Sequence, residues 1–292
     1  NQPVIEILTE SGKSLKGSHN HPVLIVKNRE RKWRRLDELR IGDRVAVVPS
    51  IQCRKVLPVP TGWKKSERRS GPRFRGKIPE KWDNKMGALM GYLVGDGYVR
   101  EKKGEIVAIV NKDELDLIKP LTEFMKDLFG LEPLIETKRP ADHEHQGRMI
   151  IAKDDLHHII LRSTDLAESM AFIKNKRVPD PILLSPNSVV REFLKWLFQA
   201  DGTVFCKGRG RRAIQLKQKE VELLRDVQML LLRFGIHSRI YGNNLTIRRG
   251  NDIIKFAKHI GFSGRIKSEK LSKLVAEAEN FKRVKSQRTE RI

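Results

Sequence analysis

Cysteine is nearly absent: Cys53 and Cys206 are the only two among 292 residues. Two thiols give neither a disulfide framework nor the paired spacing of a zinc site, which excludes a stapled secreted scaffold and a Cys-ligated metal domain. No apolar run approaches the roughly 20 residues that cross a bilayer. The opening residues, Asn1–Leu8, lack the basic stretch and long apolar core of a secretion signal. An intracellular, reducing setting at the nucleoid is therefore expected, with no membrane partner. Acids are also scarce, with 36 Asp and Glu against 59 Lys and Arg, a net charge of +23. A lysine-rich thermostable surface would carry matching glutamate, and this chain does not. Such an excess repels itself unless a polyanion is near, and nucleic acid is the obvious one, because counterion release drives its binding. Hydrophobic residues make up 39% of the chain, enough to pack cores and to exclude wholesale disorder.

What is present falls into pieces. Residues 1–51 read as short strands: Val4–Thr9, a turn at Glu10–Lys13, His21–Val26, and Arg44–Val48 after the turn Ile41-Gly42-Asp43. Residues 52–83 form a basic linker carrying Arg54, Lys55, Lys64, Lys65, Arg68, Arg69, Arg73 and Arg75. Prolines interrupt it, and Trp63 and Phe74 are interleaved. It is expected to track DNA phosphates. Residues 84–183 and 184–281 read as two copies of one unit, followed by a basic tail, 282–292. Helical Lys85–Gly95 ends in Asp96-Gly97, and helical Val190–Ala200 ends in Asp201-Gly202, 105 positions on. Gly130 and Gly235, each placed to cap a later helix, are 105 apart as well. One Asp-Gly turn is a common helix ending; the shared offset makes the pair informative. Further expectations are strands Glu105–Val110 and Arg212–Lys217, helices Glu114–Phe129 and Lys219–Phe234, and a hairpin Ser238–Arg249 turning at Asn243-Asn244. A longer loop falls around Pro140–Gly147, where His143 and His145 are weighed as metal ligands and read as a solvated loop tip.

Leu89-Met90-Gly91-Tyr92-Leu93-Val94-Gly95-Asp96-Gly97 and Leu194-Lys195-Trp196-Leu197-Phe198-Gln199-Ala200-Asp201-Gly202 resemble the paired LAGLIDADG motifs of monomeric homing endonucleases. The resemblance covers roughly residues 84–275. It implies an α+β fold: two pseudo-symmetric αββαββα halves forming saddle-shaped sheets, in a monomer that cuts double-stranded DNA. Residue chemistry agrees. Gly91 and Gly95, four apart, let two helices approach closely and bring Asp96 and Asp201 together at their C-terminal ends. A helix C-terminus favours cations, and two carboxylates there suit Mg²⁺, with Mn²⁺ as a substitute. Asp96, Asp201, Gly95 and Ala200 are the candidate metal positions. The resemblance adds Lys176, in Lys176-Arg177-Val178-Pro179, and Lys267, after Gly261-Phe262, as catalytic lysines. It assigns DNA reading to the strands, where the candidates are Arg100, Lys102, Lys138, Arg148, Lys207, Arg209, Arg211, Gln215, Lys217, Arg239, Arg248 and Arg249. Two residues depart from the family pattern: Trp196, where a small residue is usual, and Gln199, where an acid is common. Trp196 is expected either to splay the helices or to face another core. It motivates the alternative of a nuclease-inactive, maturase-like DNA- or RNA-binding protein.

Ser18-His19-Asn20-His21-Pro22 resembles the intein block in which a histidine protonates the leaving amide, and Ile41-Gly42-Asp43 fits the strand that follows. The resemblance implies a partial Hint unit with Ser18 and His21 as splicing residues. Asn1 is not a nucleophile and Arg291-Ile292 is not a His-Asn pair, so the expectation is a truncated splicing unit, or a splicing element whose junction residues lie elsewhere.

Overall fold

Alternating burial makes the first strands: in Pro22–Lys27, Val23 and Ile25 turn inward while their neighbours face out. The computed structural model describes residues 3–28, 30–51, 57–65, 75–139, 143–145, 148–150, 155–206, 212–280 and 289–292. Of these, 143–145, 148–150, 280, 289 and 290 are described by backbone alone. Strands β1 (Val4–Leu8) and β2 (Ser14–Ser18) form a hairpin. β3 (Pro22–Lys27), β4 (Glu30–Arg35) and β5 (Arg44–Ala46) follow. Their small core is Ile7, Val23, Ile25, Leu36 and Val45.

The first half then runs α1 (Asn84–Asp96), β6 (Gly97–Arg100), β7 (Glu105–Asn111), α2 (Ile118–Phe129), β8 (Leu134–Lys138), a small hairpin of β9 (His143–His145) and β10 (Arg148–Ile150), β11 (Leu156–Arg162) and α3 (Thr164–Ser169). After α4 (Asp180–Leu184), the second half runs α5 (Asn187–Asp201), β12 (Gly202–Phe205), β13 (Ala213–Lys217), α6 (Val221–Leu232), β14 (Arg239–Tyr241), β15 (Asn244–Ile247), α7 (Gly250–His259) and α8 (Arg265–Asn280). Each half has one antiparallel four-stranded sheet, ordered β6-β7-β11-β8 and β12-β13-β15-β14, the same order by position in the half. The last strand, β16 (Thr289–Arg291), returns from the basic tail to pair with β5, giving a sheet β16-β5-β3-β4.

α1 shows why the halves meet. Asp83 caps it, accepting a hydrogen bond from the Met86 amide at 2.8 Å. Every residue from Met86 to Val94 is buried, and a helix apolar on all sides must be enclosed. Its partner is α5, approached along a face of Gly87, Gly91 and Gly95. A Cβ on Gly87 would stand 2.6 Å from the Val189 carbonyl oxygen, one on Gly91 would collide with the Phe193 carbonyl, and one on Gly95 would lie 2.5 Å from the Ala200 Cβ. Backbone therefore touches backbone, and one large core spans both halves.

Several expectations are corrected in detail. The helix expected over Glu114–Phe129 is a 3₁₀ turn, Lys112–Leu117, followed by α2, and Glu114 itself is non-helical (φ −122°, ψ 32°). A helix starting at 114 would bury Pro120 in its interior, with the ring against the Asp116 carbonyl. The hairpin turns at Gly242-Asn243 rather than Asn243-Asn244: Gly242 takes φ 54°, and Asn244 pairs with Tyr241. Trp196 does not splay the helices. It is buried edge-on to Tyr92 (5.9 Å) and to Phe124 of α2 (5.3 Å), so it faces the first half's core. Both capping glycines, Gly130 and Gly235, have positive φ as expected.

Candidate active site and nucleic-acid face

The glycine contact sets α1 and α5 side by side, so that both helices end together at Asp96 and Asp201. A Cβ on Gly95 would be 2.9 Å from Asp201 Oδ2, so that carboxylate leans over the end of α1. Gln218, just beyond β13, donates its amide to the same oxygen. A lysine sits at each helix end. Lys176, held at φ 46°, donates to the carbonyls of Val94 (2.6 Å), Gly95 (2.9 Å) and Gly97 (3.3 Å). Lys267 donates to the Gln199 carbonyl and to that of Ala200 (3.1 Å), and lies 3.3 Å from Glu114. The carbonyls of Val94, Gly95, Gln199 and Ala200 lie in the last turns of their helices without intrahelical partners, and a cation satisfies them and the helix dipole at once.

The charges are strained by burial. Burial, and next the negative charge of Asp201, push Asp96 up to about 6, against the pull of Lys267 and Lys176. Burial likewise raises Asp201, opposed by Lys176, by the hydrogen bond from Gln218 and by Lys267. Burial lowers Lys176, opposed by Asp201 and Asp96. Two poorly solvated carboxylates that repel each other would gain from a shared divalent cation. The oxygens there are hard donors, and ammonium groups already stand where positive charge is favoured, so the donor set fits Mg²⁺ or Mn²⁺. Among the described residues no cluster of three or more His, Cys, Asp or Glu occurs. An ion held here would therefore take its remaining ligands from carbonyls, water or phosphate, as Mg²⁺ commonly does. The expected ligand carbonyls of Gly95 and Ala200 are engaged by Lys176 and Lys267, which leaves each oxygen one further lone pair.

The second half's sheet turns a polar row outward. Thr203 pairs with Gln215, Gln215 with Thr246, and Thr246 with Arg239. Gln215, Thr246 and Arg239 of this row, with Arg248, Arg249 and Tyr241, border a groove of about 490 Å³. Lys217 is exposed one row on. Glu10 and Ser11 of the β1–β2 turn line the same groove, because that turn docks on β14: the Ile240 amide and Gln228 Nε2 both donate to the Ser11 carbonyl (2.9 and 3.1 Å). The first sheet's candidates are instead paired with acids. Arg100 lies over the Tyr98 ring at 4.7 Å and 3.3 Å from Glu105, and Lys138 is 2.6 Å from Glu136. Lys102 is exposed on the turn after β6.

Lys64, Lys65 and Arg75 of the linker are exposed, while Trp63 packs edge-on against Trp82 and anchors the segment. Arg54, Lys55, Arg68, Arg69, Arg73, Lys207, Arg209 and Arg211 lie outside the described residues, as do the side chains of Arg148, His143 and His145. On the N-terminal unit, Ser18 Oγ donates to Asn20 Oδ1 at 2.8 Å, and the His21 amide donates to the Ser18 carbonyl at 3.0 Å. The sequence singles out neither Gln218 nor Glu114, and it places a turn at Ser11 without its docking on β14. Gln199 was noted only as a departure from the family pattern, and its role lies in contacts 65 and 85 positions away.

Residues 188–286 match the family described as a LAGLIDADG-like domain. Among curated proteins, the chain is 27% identical over 273 residues to the replication factor C small subunit of Pyrococcus horikoshii, which covers 93% of this chain and 26% of that protein. It is 28% identical over 267 residues to the tRNA-splicing ligase RtcB of Pyrococcus abyssi (81% and 28%). It is 25% identical over 281 residues to a DNA gyrase subunit of Mycobacterium gordonae (92% and 45%). The chain thus spans about a quarter to under a half of the length of these relatives. Among solved structures, it resembles I-DmoI in complex with DNA and Ca, with a TM-score of 0.46 and 19% identity over 65% of this chain and 99% of that one. It also resembles full-length DUF199/WhiA from Thermatoga maritima, with a TM-score of 0.45 and 19% identity over 70% and 62%.

Proposed function

We propose that this chain is a site-specific double-strand DNA endonuclease, monomeric, dependent on Mg²⁺ or Mn²⁺, and carried within an intein. The observation that carries the reading is the pairing of Asp96 and Asp201 at the ends of two helices in backbone contact, with one lysine at each end. The two sheets of equal strand order are then pseudo-symmetric halves of one saddle, each addressing half of the target in the major groove, with the basic linker on the phosphates. In the reaction, each strand is cut by its own water, whose oxygen bonds to the phosphorus of one linkage and which gives up a proton. One bridging P–O bond breaks, and the departing sugar oxygen takes up a proton. A bound divalent cation would acidify that water and take up charge on the leaving oxygen. Asp96 and Asp201 would hold the cation and orient the water, while Lys176 and Lys267 steady the negative charge that builds on the phosphate.

Two features support the intein part. One stretch of some 270 residues aligns with relatives whose names denote unrelated proteins, and it fills only part of each. The N-terminal β unit also carries Ser18 and His21, and the chain's last residues join its sheet at β5. That unit is a partial Hint domain in this reading.

The test is cleavage of a randomised duplex library with Mg²⁺, sequencing the cut ends to find the target. The parent should cut one site, and Asp96→Asn and Asp201→Asn should each lower the rate by at least 100-fold. Variants that cut as well as the parent would remove the assignment.

A further inference from the structure

Among the described residues, Glu114 is a carboxylate beside this site to which the proposed chemistry assigns no role, and it comes from the opposite half to the lysine it touches. It lies on the 3₁₀ turn of the first half, 9% exposed, in a backbone conformation that departs from the helix around it. Its Oε1 accepts from Gln199 Nε2 at 2.8 Å and stands 3.3 Å from Lys267 Nζ. Gln199 is fully buried on α5, and its Oε1 accepts from the Gly264 amide at 2.7 Å. The contact is close enough that a Cβ on Gly264 would be 2.8 Å from Gln199 Nε2. Two residues beyond Glu114, Asp116 accepts from the Arg265 amide at 2.8 Å, at the start of α8. Lys267 is therefore gripped twice. Its backbone is tied down through Gly264 and Arg265, and its ammonium is drawn by Glu114 towards the Gln199 and Ala200 carbonyls.

Lys176 is held differently. Its ammonium meets the carbonyls of Val94, Gly95 and Gly97, and among the described residues no carboxylate lies within 4.0 Å of it. A half-buried ammonium with three hydrogen-bond acceptors in fixed directions needs no anion to place it. Lys267 has two carbonyls and one carboxylate, and the carboxylate belongs to the other half.

We propose that Glu114 is a positioning residue that sets Lys267 from across the two halves, so that the two strand-cutting centres are built unequally and only one depends on Glu114. The inference rests on the endonuclease reading above. Duplex target labelled differently on each strand is cut by the parent, Lys267→Met and Glu114→Gln, and the first-cut rate of each strand is measured. Glu114→Gln should slow the same strand as Lys267→Met, at least tenfold more than the other, so that nicked duplex accumulates. The double variant should be no slower on that strand than Lys267→Met alone, since both changes act on one group. Equal slowing of both strands, or of neither, overturns the proposal. A general loss of fold would slow both strands and lower duplex binding, so strand bias separates positioning from stability.

A second measurement needs no cleavage. Acetic anhydride labelling read by mass spectrometry should show Lys267 several-fold more reactive in Glu114→Gln than in the parent, with Lys176 unchanged. Unchanged Lys267 reactivity overturns the proposal. If the parent cuts no duplex, the endonuclease reading falls, while the labelling result still decides whether Glu114 sets Lys267.

Discussion

Gly87→Ala tests the helix contact on which the site depends, at a point remote from its chemistry. Gly87 is nine residues before Asp96, about 14 Å along the helix axis. A Cβ there would stand 2.6 Å from the Val189 carbonyl oxygen, 0.8 Å short of the 3.4 Å at which ordinary contact begins. The obstacle is the backbone of α5, which cannot rotate away as a side chain would. The helices must part locally by about that distance or tilt about the contact. Overpacking of this kind costs roughly 1–3 kcal/mol, and for a protein of this size each kcal/mol lowers Tm by roughly 2–4 °C. A displacement near 1 Å at a catalytic pair costs about 100-fold in rate. Thermal melting should therefore fall by several degrees, and under the proposed function strand cleavage should fall by one to two orders of magnitude with duplex binding largely kept. Wild-type melting and wild-type cleavage together would refute the close approach of α1 and α5 as the device that pairs the aspartates.

Other expectations follow from burial and charge. Asp96 titrates near 6 in the fold against 3.8 when unperturbed, so its contribution to stability is fully present below about pH 4 and is lost as pH rises through 6. Without divalent ions, Asp96→Asn should raise Tm at pH 7 and shrink the fall in stability between pH 4 and 7, an effect on the order of 3 kcal/mol at most. An unchanged pH profile would count against burial of that charge. Adding Mg²⁺ should raise the Tm of the parent at pH 7 and leave Asp96→Asn and Asp201→Asn nearly unmoved; equal shifts in all three would place the ion elsewhere. Trp196→Ala should cost roughly 3–5 kcal/mol, because it empties a pocket between α1 and α2, and a change under 1 kcal/mol in denaturant melts would contradict its placement. Asp252 is fully buried and pushed up to about 6, chiefly by burial, with its Oδ1 accepting from the His237 amide. Asp252→Asn keeps that acceptor and should stabilise the protein at pH 7 but not at pH 4; a loss at both values would show that the charge itself is needed.

Local order was legible because it is encoded locally. The apolar runs of α1 and α5, the Asp-Gly endings and the left-handed Gly130 and Gly235 each depend on a few consecutive residues, and they stand where pattern and turn chemistry put them. Near misses came where one residue overrode the pattern: Pro120 delayed a helix, and Gly242 took the turn from its asparagine neighbours. Trp196, for which splaying the helices or facing another core were both expected, takes the second course: it sits one position off the line that meets Gly91, because Phe193 and Leu197 occupy that line.

The sequence by itself determined that two similar helices end in aspartate, that glycines permit one of them to be approached closely, and that the chain carries charge suited to a polyanion. Helix period, capping and net charge need no knowledge of distant residues. Charge and pattern do not single out any of the 59 cationic side chains; the resemblance names Lys176 and Lys267, and tertiary structure sets their ammonium groups on the helix ends. Lys176 and Lys267 are distinguished from their neighbours by the carbonyls of Gly95 and Ala200. Glu114 and Gln199 meet across 85 positions, and the strand closing the N-terminal sheet comes from the far end of the chain. Hydrogen bonds between buried groups are made only after the halves pack, because burial makes an unpaired ammonium or carboxylate costly and leaves few partners within reach.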